Sequence, residues 1–289
     1  MTQYKYHLDK TSKKFNCPQC NKKRFVKYVE TETNNYAESQ YGRCDRETSC
    51  RYLLYPFNNS VVSYDYPITL PAKPSYIEKE TLQKTLIKYD INPLVNYLYG
   101  NYRIDEVKNT IEKYNLGTAE IFNGATIFWQ KDDTGNIRTG KIMAYDTSTG
   151  KRLKTKDGKP LINWVHSILK KPNYNLKQCL FGLHLLNQTI KQVAIVESEK
   201  TALIMSIEFP QHTWMSAGSL QSFKYEYLAP LREKKITAFP DKGVYNKWKK
   251  TADALNNEGF SIEVSKLLET KEYEEGWDLV DMMNYESKK

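Results

Sequence analysis

Two cysteine pairs at the front of the chain, a strand–turn–strand pattern in its middle and alternating strands and helices at its end predict a mixed α/β protein, α+β overall. The expected order is an N-terminal metal-bound ribbon over 1–55, a linker over 56–76, a small basic α+β core over 77–189 and a parallel sheet with flanking helices over 190–289. At 289 residues the chain is long enough for two or three compact units.

The ribbon rests on Cys17-Pro18-Gln19-Cys20 and the wider pair Cys44 and Cys50. Tight cysteine pairs let a turn present two thiolates with little loss of chain entropy, and four thiolates satisfy tetrahedral zinc. In a chain expected to be cytoplasmic, such spacing favours a metal over disulfides. Lys23–Val29 between the pairs reads as a strand. His7 stands ten residues before the first pair and reads as a surface residue, while Cys179, beside Leu180 and Phe181, reads as a buried thiol. Lys23, Arg24 and Lys27 beside the ligands are candidate nucleic-acid contacts, and Tyr28, Tyr36 and Tyr41 could offer stacking faces to single-stranded bases.

Pro56, Pro67, Pro71 and Pro74 mark the linker. Ile77, Leu82, Leu86 and Tyr89 follow at roughly helical spacing. Asn92-Pro93 then opens a helix as N-cap and first-turn proline, with Gly100 placed to stop it. Val107, Ile111 and Tyr114 share one face of a further helix ending near Gly117. Two strand-like runs, 125–130 and 138–145, flank the turn Asp132–Asn136, and a basic run begins at Lys151. Arg138, Lys141 and Arg152 would grip nucleic acid together if the sheet sets them on one face; a solvated sheet edge accounts equally well for the charges.

From Val193 the pattern becomes strand, helix, strand, helix. In parallel sheets of this kind ligands sit beyond the carboxyl ends of the strands. Glu197, Gly218 and Asp241 each follow a strand, so they are expected at one edge, and Asp278 and Asp281 could close over it. Carboxylates gathered there suit Mg²⁺ or Mn²⁺, which take oxygen ligands and serve phosphoryl transfer. Solvated loop or capping acids are the plainer reading.

The net charge of +9 agrees with a polyanionic partner, although a lysine-rich surface gives the same sum. No run approaches the roughly 18–20 apolar residues of a membrane span, and the first residues lack a signal peptide's apolar core, so a cytoplasmic protein without membrane partners is expected.

The stretches "IVESEKTAL", "SAGSL", "ITAFPDKG" and "WDLVDMM" resemble the successive motifs of a Toprim domain, as in DnaG-type primases, topoisomerases and OLD-type nucleases. The resemblance covers roughly 190–285. The ribbon is similar to the one preceding the polymerase core of DnaG-type primases, though four cysteines replace the usual set with a histidine. "INWVHSILKKPNYNLKQCLFGLHLL" is similar to the primase stretch leading into Toprim. The chain as a whole looks closest to Toprim-containing primase-like proteins of bacterial mobile elements. The resemblance implies that Glu197 is the motif glutamate of acid–base or metal chemistry, Asp241 the first aspartate of the DxD metal motif, and Asp278 or Asp281 the later acid. Two positions depart from the pattern: Ser198 replaces a glycine, and Asp241-Lys242-Gly243 lacks the second aspartate.

Three functions follow as expectations. The first is a primase-like nucleotidyltransferase on single-stranded DNA and nucleotides, serving replication or transfer of a mobile element. The second is a nucleic-acid-binding protein with a non-catalytic or single-metal Toprim site, and the third a Toprim nuclease. No GxxxxGK[ST] motif is present, so unwinding would fall to a separate helicase.

Overall fold

The computed structural model describes residues 4–46, 49–56, 73–188 and 192–289. Two compact units meet the chain at Pro71/Ala72: Met1–Pro71 and Ala72–Lys289. Most of the expected linker, 57–72, lies outside the described residues. The expected regions 77–189 and 190–289 both fall within the second unit.

The first unit is an antiparallel sheet of β1 (Tyr6–Leu8), β2 (Phe15–Asn16), β3 (Lys23–Glu30), β4 (Gly42–Cys44) and β5 (Leu53–Leu54), with β3 pairing β1, β2 and β4. Its buried cluster consists of Cys17, Phe25, Cys44 and Cys50, with Phe15, Cys20 and Tyr52 against it. Four of these seven residues are cysteines. The Sγ atoms of Cys17 and Cys50 are 3.6 Å apart and those of Cys20 and Cys44 are 4.0 Å apart. Zinc–sulfur bonds of about 2.3 Å give a tetrahedron with edges of roughly 3.8 Å, so the cluster fits a structural zinc. The Lys22 amide draws the Cys20 thiol down to about 6, which favours one thiolate from the outset. His7 bonds the Leu8 carbonyl through Nδ1 and takes no part in the cluster.

The second unit opens with α1 (Lys79–Gln83), α2 (Pro93–Asn101) and α3 (Ile104–Tyr114). The single helix expected from Ile77 to Tyr89 is broken: Ile77 bridges Ile137, and Lys88 turns left-handed before a short 3-10 turn. Asn92 caps α2 as its sequence implied, accepting the Val95 amide, and the helix runs through Gly100 to Asn101. Val107, Ile111 and Tyr114 are the buried face of α3, which ends on a left-handed Asn115 rather than at Gly117.

An antiparallel sheet follows in the order β6 (Gly117–Thr118), β7 (Thr126–Lys131), β8 (Ile137–Met143) and β9 (Ile162–Trp164), which leads into α4 (Val165–Leu169). The register passes from Gln130↔Thr139 to Lys131↔Ile137, leaving Arg138 as the extra residue of a β-bulge.

The last layer alternates β10 (Val193–Val196), α5 (Glu199–Glu208), β11 (Thr213–Ser216), α6 (Tyr225–Leu228), β12 (Lys235–Phe239), α7 (Tyr245–Asn256), β13 (Ser261–Val264) and α8 (Leu279–Glu286). All its strand pairs are parallel, in the order β11-β10-β12-β13. Every residue of β10 is buried, as expected of a central strand covered on both faces. α6 ends at Leu228 because Pro230 cannot donate to the ladder, and a 3-10 turn takes over. Cys179 is buried as expected. No helix among the described residues is long and apolar enough to cross a membrane.

Since the core of the first unit is largely its thiolate cluster, removing the metal should cost that unit its fold. Chelation at neutral pH is expected to render the first unit protease-sensitive while Ala72–Lys289 resists digestion. A first unit that survives chelation intact would show that its apolar packing suffices.

Candidate active site

The topology of the parallel sheet sets the site. β10 lies between β11 and β12, so the loops leaving β10 and β12 at their carboxyl ends carry Glu197 and Asp241 to one edge. Glu197 is half-buried and accepts the Leu220 amide; burial pushes its carboxyl upward, while Arg152 and Lys141 pull it down. Burial raises the Asp241 carboxyl to about 8, helped by the charges of Glu197, Asp278 and Asp281 and opposed by Arg152.

A cavity of about 280 Å³ opens beside Asp241 and is lined by Ser198, next in the chain to Glu197. Asp241, Asp278 and Asp281 line it together with Lys151, Arg152 and Lys200. Arg152 comes from the segment that bridges Tyr145, beyond the end of β8. Among the described residues neither Lys151 nor Arg152 is within ion-pair distance of a carboxylate, and Lys200 donates to the Gly150 carbonyl at 3.1 Å. Acidic and basic side chains thus line one cavity. The acids can take a divalent cation and the basic groups phosphate.

The acids are not equivalent. Asp278 caps α8: its Oδ1 accepts the Val280 and Asp281 amides at 2.8 and 3.0 Å, and its Oδ2 takes the Thr201 hydroxyl. Asp281 completes the capping box by accepting the Asp278 amide at 3.2 Å. Glu197 accepts a single backbone amide, that of Leu220, and neither it nor Asp241 belongs to the capping box, so these two could hold Mg²⁺ or Mn²⁺. Among the described residues, the cysteines are the one group of three or more His, Cys, Asp or Glu whose donor atoms lie within 4.8 Å of one another. No three carboxylates of the sheet edge converge that closely.

Lys242 does not intrude on the acids. Its ammonium bonds the Thr270 carbonyl at 2.6 Å, and its amide bonds the Trp277 carbonyl at 2.9 Å. Gly243 has φ +86°, and a Cβ there would collide with the Glu275 carboxylate. Position 243 is built for glycine.

The expected basic contacts separate. Lys141 does not face outward: it is buried, and its ammonium lies 3.0 and 3.2 Å from the two Glu199 oxygens and 2.8 Å from the Gly218 carbonyl. Arg138 pairs with Asp132 at 2.8 Å and lies over the Tyr76 ring. Arg138, Lys141 and Arg152 therefore share no nucleic-acid face, and Arg152 alone of them reaches the cavity. In the first unit Lys23 and Arg24 are exposed, and Lys27 lies over the Phe15 ring at 4.4 Å. Tyr28 is buried and offers no stacking face, whereas Tyr36 is exposed and packs edge-on against Phe15. Lys200 and Tyr145 line the cavity without having stood out in the sequence; their only signal was proximity to Glu199 and to the basic run at Lys151.

Residues 92–242, just over half of the chain, match the family described as a domain of unknown function, DUF6371. The chain belongs to this family. Residues 4–62 match a zinc beta-ribbon finger. In this DUF6371 chain the matched segment runs from the cap of α2 to Lys242 and so contains both Glu197 and Asp241. No significant match is found among curated proteins. Among solved structures the chain is similar to the primase fragment of the bacteriophage T7 primase-helicase protein, at 18% identity over 62% of this chain and 66% of that one, just under two thirds, with a TM-score of 0.41. It is similar to the RNA polymerase domain of Mycobacterium tuberculosis primase DnaG at 13% identity, over 66% and 71% of the two chains and with a TM-score of 0.42. With the zinc-binding and RNA polymerase domains of the Aquifex aeolicus primase it shares 14% identity over 97% and 77%, with a TM-score of 0.39. At these scores no residue role passes from those proteins to this chain.

Two outcomes test the site. Lys141→Met strands a buried carboxylate and is expected to cost about 3–5 kcal/mol in denaturant unfolding, most of it recovered in Lys141→Met/Glu199→Leu. An additive double variant would show that the pair is not coupled. A cation must also displace the proton that Asp241 holds up to about 8. Mg²⁺ or Mn²⁺ binding should therefore strengthen as pH rises towards 8 and release about one proton at pH 7. Titration calorimetry in buffers of different ionisation enthalpy reads that proton, which Asp241→Asn should remove.

Proposed function

We propose that the chain is a primase-like nucleotidyltransferase acting on single-stranded DNA, with Glu197 and Asp241 holding a divalent cation. The observation that carries this reading is the cavity at the carboxyl edge of the parallel sheet, lined by both acidic and basic side chains. Mg²⁺ commonly takes one or two carboxylates, keeps several waters and completes its octahedron with substrate phosphate, so two acids suffice. Bound there, the cation supplies Lewis-acid polarisation and charge neutralisation at the reacting phosphoryl group.

The chain's own residues do the rest. Lys151 and Arg152 attract and orient a triphosphate, and the half-buried setting of Glu197 and Asp241 strengthens each of those charge interactions by limiting water. Lys23 and Arg24 on the first unit would contact the DNA backbone, and a separate helicase would open the duplex. The order of ribbon, small core and Toprim-like sheet supports the same assignment through the resemblance described above.

A second reading, a nucleic-acid-binding protein with a single-metal or non-catalytic site, is favoured by one specific observation. Asp278 and Asp281 are held in the capping box of α8, and position 243 is a glycine at φ +86°, a conformation that residues with side chains rarely adopt. The two readings divide on nucleotide incorporation. The purified protein is incubated with single-stranded DNA, four ribonucleotides and Mg²⁺ or Mn²⁺, beside Glu197→Gln and Asp241→Asn. Short products that fall at least 100-fold in both variants are expected. If no products form while all three proteins retard the DNA equally, the catalytic reading fails and the binding protein stands.

A further inference from the structure

One flat aromatic side chain stands among the charged groups of the cavity. Trp129, Trp214 and Trp248 are buried in the core, but Trp277 is only partly buried and lines the cavity beside Asp241, Asp278 and Arg152. Its backbone is fixed to the sheet edge. The Trp277 amide donates to the Glu274 carbonyl at 3.2 Å, and its carbonyl accepts the Lys242 amide at 2.9 Å. Asp278, next in the chain, is held by the cap of α8. Other rings back the indole: Tyr273 stacks on it at 5.9 Å and 25°, and Tyr285 leans on it at 5.4 Å and 60°. Those two tyrosines meet edge-on at 6.2 Å, so the three ring centroids form a nearly equilateral triangle. The tyrosines therefore approach the indole from neighbouring directions and do not sandwich it. Among the described residues no third ring packs against it.

We propose that Trp277 is a stacking platform for the nucleobase of a nucleotide bound in this cavity. The inference rests on the nucleotide reading of the site. At about 280 Å³ the cavity is slightly smaller than the roughly 300–1,000 Å³ of sites that enclose a whole small molecule. It can seat phosphates and leaves the base at its rim. Tyr145, the other ring of the lining, is 2% exposed and offers no face there. Trp277 offers a rigid one, held in place before any ligand arrives. Stacking on an aromatic face is tolerant of base identity, because every base has a π-face. The base could belong to a nucleoside triphosphate or to a nucleic-acid strand. Trp277 is thus a positioning residue that fixes the base while the charged groups deal with the phosphates.

The full chain, Trp277→Leu and Trp277→Phe are titrated with ATP, inorganic triphosphate and a single-stranded oligonucleotide, each with Mg²⁺, beside Arg152→Ala. Trp277→Leu keeps apolar bulk against Tyr273 and Tyr285. It is expected to bind ATP about tenfold more weakly, with its affinity for triphosphate unchanged. Trp277→Phe keeps a stacking face and should hold ATP within about threefold of the parent chain. ATP should quench tryptophan fluorescence in the parent chain and not in Trp277→Phe, a signature that a purely structural role would not move. A loss confined to the oligonucleotide would support the same stack with a base of the strand. Equal ATP and oligonucleotide affinities in the parent chain and Trp277→Leu overturn the inference, and so does an equal loss of ATP and triphosphate. If Arg152→Ala still weakens ATP binding in either case, the nucleotide reading survives that failure. A parent chain that binds none of the three probes overturns both.

Discussion

The second unit depends on one buried ion pair. Lys141 belongs to the antiparallel sheet; Glu199 opens the helix after the central parallel strand, and Gly218 follows the neighbouring strand. A lysine this deeply buried needs compensation on every side, because desolvating its charge costs several kcal/mol. Two carboxylate oxygens and a carbonyl supply it. The pair thereby joins the antiparallel sheet to both loops at the edge where Glu197 stands. Gly218 takes part through shape as well: at φ +78°, a Cβ there would press to 2.9 Å on a Glu199 oxygen. The loop can approach the carboxylate only because its residue has no side chain.

This junction explains why acidic and basic side chains meet at one cavity. The parallel sheet delivers acids because its strands end there, and the antiparallel sheet delivers Lys151 and Arg152 because its chain turns back beyond Tyr145. Asp241 feels the balance directly: burial and three neighbouring acids raise its carboxyl, and Arg152 offsets only part of that. A cavity that holds a proton on an aspartate at neutral pH is short of positive charge. A divalent cation would supply it.

Much of this was legible from residue order. The cysteine spacing announced a four-thiolate cluster, Asn92-Pro93 announced a helix start, and strand–helix alternation put Glu197 and Asp241 at one edge. What escaped was pairing across long sequence distances. Nothing local to Lys141 reveals a carboxylate 58 residues away, so an apparently solvent-facing lysine proved to be the buried tie between sheets. The bulge at Arg138 likewise follows from how two strands register, which no single strand encodes. Asp278 is a different case. The Asp-x-x-Asp spacing that brackets Leu279 and Val280 is itself a capping pattern, and the competing metal reading of the same residues hid it.

The altered motif after β12 can now be read physically. A lysine beside a metal-binding aspartate would be expected to repel the cation, but a side chain's effect depends on where its charge ends up. The Lys242 ammonium ends on the Thr270 carbonyl, and its backbone pairs with the 276–277 segment. Gly243 then turns left-handed against Glu275, with its amide donating to Glu269 at 3.0 Å. The segment that could have carried a second metal-binding carboxylate instead fastens the chain between β13 and α8 to the sheet edge. That chain carries Trp277 and Asp278 to the rim of the cavity. The backbone at position 243, where the resemblance would place a second carboxylate, thus serves to fix the chain that carries Trp277 and Asp278.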